Sequence, residues 1–151
     1  NWNWIEALIA SVPIAILVML IVWINQFQDA PSDAAVGKNT WVVRTAEKGE
    51  WMKLEKPLRL YKQFMIEAFV AVALVGALSF FTDFGTVYAF MALIPIALVW
   101  KAFKMADEWM IKWNNPNADR QKVPYELLLV NVSTIGIHFL TGILLAVAYI
   151  L

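Results

Sequence analysis

Cysteine is absent from this chain and histidine occurs once, at His138. Zinc ribbons, iron–sulfur clusters, thiol catalysis and a haem held between two histidines of the same chain are thereby excluded. Net charge is missing too. Twelve basic residues balance 12 acidic ones with no basic arm, which argues against nucleic acid as a partner. Charge of either sign is sparse, at 16% of residues, where a soluble domain carries about 25%. What is present instead is apolar: 61% of the 151 residues, gathered in long runs.

A membrane-spanning helix needs about 20 largely apolar residues. Four stretches meet or approach that length: Trp4 to Ile24, Phe64 to Phe81, Val87 to Phe103 and Leu127 to Leu151. The expected fold is an all-α membrane protein with four transmembrane helices, forming one domain over 1–151. Pro13 and Pro95 fall inside spans, where neighbouring helices and waters can satisfy the freed carbonyls. The first stretch lacks the basic leader and cleavage site of a signal peptide, so it reads as a true span. The chain starts at Asn1 rather than Met, and upstream sequence is expected to have been removed or to belong elsewhere.

The 12 Lys and Arg residues then set the topology. Lys38, Arg44, Lys48, Lys53, Lys56, Arg59 and Lys62 lie in the loop 25–63, between spans one and two. Lys101, Lys104, Lys112, Arg120 and Lys122 lie at the end of span three or in the loop 104–126. All fall on one side of a four-span arrangement. The positive-inside rule makes both long loops cytoplasmic and puts both termini outside, and the expected location is a prokaryotic cytoplasmic membrane. Within these loops, residues 46–63 (with Trp51, Met52, Leu58 and Tyr61) and 101–113 (with Trp109 and Trp113) mix apolar side chains with charges. The first is expected to form short interfacial helices divided at Pro57, and the second to extend span three into the interface. Membrane anchoring is the simple role for both; a lid over a surface site is the alternative.

The chemistry concentrates where span one leaves the membrane. Asn25, Asp29 and Asp33 recur every fourth residue, a spacing that on a helix stacks side chains along one face. Two carboxylates and an amide oxygen form a hard-oxygen site suited to Mg²⁺, which keeps waters and shares one or two carboxylates with substrate phosphates. Lys38 and Arg44 would supply cations for phosphate oxygens, and Gly37 permits a turn. Pro31 threatens the helix after Asp29. The same residues also fit a plain acidic helix end followed by solvated lysines.

The run NQFQDAPSDAAVGKNTWVVR, Asn25 to Arg44, resembles the second aspartate-rich motif of the UbiA superfamily of membrane prenyltransferases. It is most similar to the menaquinone-pathway branch, which prenylates 1,4-dihydroxy-2-naphthoate. Asn25, Asp29, Asp33, Gly37, Lys38, Thr40, Val42, Val43 and Arg44 carry the likeness. The STIGIHFLTGILL stretch of span four and the helix order agree more loosely. The resemblance implies the last four helices of a nine-helix bundle in which two aspartate motifs face each other across a cavity. It further implies that Asp29, Asp33 and Asn25 hold Mg²⁺, and that Lys38 and Arg44 neutralise the diphosphate of a polyprenyl donor. The departing diphosphate would leave an allylic cation to be attacked by an electron-rich aromatic acceptor.

Only the carboxyl-terminal half of such an enzyme is represented. Asn115 and Asp119 share the first four-residue interval, but Val123 occupies the next position and no apolar helix precedes them. The partners expected are therefore the donor, the acceptor, membrane lipid, and an amino-terminal half or partner subunit. The chain alone is expected to be inactive. The competing reading is a non-catalytic scaffold or a lipid/quinone-binding subunit derived from such an enzyme. A transporter finds little support, since paired intramembrane charges and Gly-interrupted half-helices are lacking. Elsewhere, Glu67, four residues after Gln63, is either an intramembrane functional carboxylate or a snorkelling one that pairs with Lys62 or the loop. Asn131, Thr134, His138 and Thr141 share one face of span four, for packing or for lining a cavity.

Overall fold

The computed structural model describes residues 4–48 and 52–151; Trp51, counted above in the first interfacial stretch, lies outside them. The described residues are helical apart from turns and one isolated bridge between Glu47 and Lys53. In order they form α1 (Trp4–Ala35), α2 (Trp41–Thr45), α3 (Glu55–Leu78), a 3₁₀ segment (Val87–Leu93), α4 (Ile96–Trp113), a second 3₁₀ segment (Val123–Leu127) and α5 (Leu128–Ala148). Four helical stretches are long and apolar enough to cross a membrane: Trp4–Ala35, Glu55–Leu78, Val87–Trp113 and Val123–Ala148. This is the architecture of a multi-pass membrane protein. Its outward faces agree, with Leu74, Ile94, Trp100, Leu129 and Phe139 all exposed on the bundle surface. Such a surface requires lipid as its solvent.

Two boundaries differ from the sequence expectation. Residues 25–35 are the last turns of α1 and not the start of a loop. Pro31 removes one backbone donor but leaves the helix running to Ala35. Likewise Glu55 to Gln63 are the first turns of α3, continuous with span two, and form no separate surface helix. Pro57 does not divide this stretch, because it sits at the third helical position, where the N–H would have no helical partner anyway. Pro95 does act as a break, separating the 3₁₀ segment from α4.

Packing is uneven along the bundle. The larger core gathers Leu20, Ile24, Phe27, Leu58, Tyr61, Met65, Trp109, Trp113 and Leu127, from the membrane exit outward into the cation-rich end. At the opposite end only Val72, Val75, Ala89, Ala92 and Leu145 form a smaller cluster. Two indoles lock the cation-rich end: Trp109 Nε1 donates to the Val123 carbonyl at 2.7 Å, and Trp113 Nε1 to the Met52 carbonyl at 2.9 Å. At the other end the Gly85 N–H donates to Glu6 Oε1 at 3.0 Å, fastening the start of α1 to the loop before the 3₁₀ segment.

Candidate functional site

The end of α1 builds the site through its terminating turn. Gly37 adopts φ +73°, its N–H donates to the Ala34 carbonyl at 3.1 Å, and the Lys38 N–H donates to the Asp33 carbonyl at 2.8 Å. This pair of bonds is a Schellman motif, which needs a residue in the left-handed region. It folds the chain back so that Lys38 Nζ meets Asp33 Oδ1 at 3.0 Å. Asp33 is only 8% exposed, and its Oδ2 is buried with no hydrogen-bond partner. A buried, half-satisfied carboxylate is costly. Because the space around Gly37 is open, Gly37→Ala should cost only the left-handed strain of about 1–2 kcal/mol. It should also loosen the Lys38–Asp33 pair, read as faster amide exchange at Lys38. Unchanged stability and exchange would remove the turn from the account.

Asp29 lies one turn before Asp33 and is exposed; residues four apart on a helix have Cβ atoms roughly 5–6 Å from each other. Asn25, also exposed, accepts from Asn131 Nδ2 of α5 at 2.8 Å through its Oδ1, so part of its amide is engaged in helix pairing. Leu8, Ser11, Ala15, Val18 and Val22 continue the same exposed row of α1 into the membrane. The row is apolar through most of the span and becomes polar at the exit.

The rest of the motif supports this helix end. Thr40 caps α2, its hydroxyl accepting from the Val43 N–H at 3.4 Å, and Gln26 Oε1 of α1 accepts from the Val42 N–H at 3.2 Å. Val42 and Val43 are buried. Arg44 follows them into a groove of about 460 Å³ lined by Met19, Trp23, Trp41, Thr45 and Phe64. The structure thus joins Asp33 to Lys38, keeps Asp29 one helical turn earlier on α1, ties Asn25 to α5, and puts Arg44 in the lining of a groove.

Sequence reading missed the neighbouring surface. Gln28, Pro31 and Ser32 of α1 face Arg120, Gln121, Lys122, Pro124 and Tyr125 across a cleft of about 600 Å³. The Gln28 Nε2 is buried without a partner. Lys122 pairs with Asp119 at 3.5 Å, and Arg120 holds the Trp113 and Asn115 carbonyls while lying over the Trp113 ring. The one available signal was Gln28 itself, a polar residue directly before Asp29.

Among the described residues there is no group of three or more His, Cys, Asp or Glu able to hold a metal. The local donor set is two carboxylates and an amide, with one carboxylate oxygen committed to Lys38 and the amide oxygen already accepting from Asn131. Mg²⁺ that keeps its waters and shares substrate phosphates requires no more than this from one helix, so the residues fit half of such a site.

The remaining candidates lie on α3, α5 and the second loop. Glu67 is exposed and accepts from Gln63 Nε2 at 2.8 Å, within α3; Lys62 pairs instead with Asp107. The Thr134 hydroxyl donates to the Val130 carbonyl at 2.8 Å, so the Tyr61 phenol is the donor in their 2.6 Å contact. Thr141 Oγ1 and Asn131 Oδ1 are buried without partners, and His138 is half-buried. Asn115 and Asp119 shape turns, accepting from the Asn117 and Gln121 N–H groups. That bond, followed by the nearby Lys122, holds the Asp119 carboxyl below its ordinary range. No family model, curated protein or solved structure matches the chain.

Proposed function

We propose that this chain is the carboxyl-terminal half of an integral-membrane aromatic prenyltransferase. The reaction is Mg²⁺-dependent transfer of a polyprenyl group from its diphosphate to a quinone-precursor aromatic acceptor. One observation carries the reading: a single exposed row of α1 that is apolar through most of the span ends in Asn25 and Asp29, beside an Asp33 carboxylate with one oxygen on Lys38 and the other free. That row matches an amphiphile with a long apolar tail and a metal-loving anionic head. A purely structural helix exit has no need of a buried, half-satisfied carboxylate.

Asp29 and Asp33 would hold Mg²⁺, with Asn25 supporting. Bound there, the ion would supply positive charge against the diphosphate as it leaves. Lys38 neutralises a further phosphate oxygen as a flexible point charge, and its pairing with Asp33 keeps it in place. Val18 and Val22 guide the first part of the tail and keep water from the reacting carbon. The opposing half of the site comes from an amino-terminal half or partner subunit.

A second reading, a non-catalytic scaffold or lipid/quinone-binding subunit, draws on the absence of a three-donor metal group among the described residues. Binding separates the two. The chain in detergent is expected to bind a non-hydrolysable prenyl thiodiphosphate only with Mg²⁺ present, and to form no prenylated product by itself. Binding indifferent to chelation of Mg²⁺ favours the scaffold.

The proposed orientation places both long loops in the cytoplasm of a prokaryotic cell. Cysteines introduced at Lys48 and Asn117, both exposed, should react with an impermeant thiol reagent only after the inner face is opened. Labelling of either in sealed, right-side-out cells would reverse the topology.

A further inference from the structure

We infer that the groove between α1, α2 and α3 is a site for one anionic phospholipid, with its phosphate on Arg44 and an acyl chain along Met19, Trp23 and Phe64. The inference does not depend on the transferase reading. Depth is the first argument. Trp23 is the next-to-last residue of the apolar run that ends at Ile24, and Trp41 is half exposed beside it. Tryptophan at such a position marks the headgroup level of a membrane. The groove of about 460 Å³ therefore opens where lipid phosphates lie, on the side that carries all the chain's cations.

Charge is the second argument. Arg44 is exposed, and among the described residues its guanidinium has no ion pair. A guanidinium matches phosphate geometry through paired donors. Trp23 also carries an orphaned donor: it is only 5% exposed, yet its indole N–H has no hydrogen-bond partner. An ester or phosphate oxygen of a lipid in the groove supplies the missing acceptor.

The walls select an acyl chain over a flat ring. Trp23 already contacts Trp41 at 5.5 Å between centroids and Phe64 at 5.8 Å, leaving no slot between Trp23 and either ring. A free anion would use the cation and leave the apolar wall wetted. A phospholipid uses both.

Native mass spectrometry of the whole chain, released from detergent micelles doped with phosphatidylglycerol or phosphatidylcholine, tests this. The unaltered chain should retain phosphatidylglycerol about fivefold better, the preference expected of one interfacial cation. Arg44→Gln should erase that preference and Arg44→Lys should keep most of it. Arg59→Gln, an exposed cation on α3 outside the groove, should leave it intact. A photoactivatable phosphatidylglycerol should crosslink to peptides holding Trp41 or Phe64 in the unaltered chain, a readout that requires no variant to fold. The inference is overturned if Arg44→Gln keeps the preference or Arg59→Gln loses it equally. It is also overturned if millimolar inorganic phosphate displaces the lipid, or if crosslinks fall only outside the groove.

Discussion

Asp33→Asn is expected to lower prenyl transfer by about 10²–10³-fold, the usual cost of one lost group that stabilises developing charge. The assay is transfer from a radiolabelled prenyl diphosphate, in membranes that hold the chain together with the amino-terminal half or partner subunit proposed for it. Size is conserved in this replacement; what disappears is the charge that recruits Mg²⁺. Asp29→Asn should act similarly, since Asp29 supplies the second carboxylate of the row. Lys38→Ala should be milder, because water can take over part of a flexible point charge, and His138→Ala milder still. Lys38 is 61% exposed while the Asp33 side chain is 11% exposed, so the freed ammonium returns to water, and a thermal melt of the variant separates loss of the site from loss of the fold. Wild-type rates in both aspartate variants would leave Asn25 to Lys38 a polar helix end and hand the case to the scaffold.

Gly85→Ala should produce the largest loss of stability, about 2–4 kcal/mol from left-handed strain and overpacking combined. Gly85 holds φ +81°, and a Cβ there would stand 2.4 Å from the Val75 carbonyl oxygen. A backbone atom of α3 cannot swing aside as a side chain could. Relief would require moving the loop, which breaks the bond from the Gly85 N–H to Glu6 and disturbs the small cluster around Val75. Reversible denaturation in bicelles measures this. Glu6→Gln serves as the contrast, since an amide oxygen can still accept from Gly85 and the loss should stay below about 1 kcal/mol. If Gly85→Ala matches the unaltered chain within 0.5 kcal/mol, a marker for ordinary surface changes, the clash is not real.

The four spans were legible because hydropathy over about 20 residues is a strong signal. The helix bearing the site was not fully legible. Apolar character stops at Ile24, whereas backbone hydrogen bonding continues to Ala35, and composition reports only the former. Pro57 is ambiguous in sequence for a related reason: a proline in the first turn of a helix forfeits no helical hydrogen bond, and only the position of the helix start distinguishes that from a break. The four-residue spacing correctly placed Asp29 and Asp33 one turn apart. It said nothing of the Schellman turn that brings Lys38 onto Asp33, or of Asn131, 106 positions away, closing on Asn25. Arg44 shows the same gap. Its place in the chain did not reveal that Gln26 and two buried valines seat α2 so that Arg44 lines a groove with Trp23 and Phe64.

The indole of Trp113 has a consequence for the order of synthesis. It completes the first loop by donating to Met52, a residue 61 positions earlier. A ribosome adds about 5–20 residues per second, so that carbonyl waits roughly 3–12 s for its donor at such rates. During the interval spans one and two can already be inserted, while the loop between them remains open to chaperones and proteases. Slowing elongation between codons 52 and 113 should lengthen that window and increase cleavage within the first loop. Slowing it after codon 113 should not.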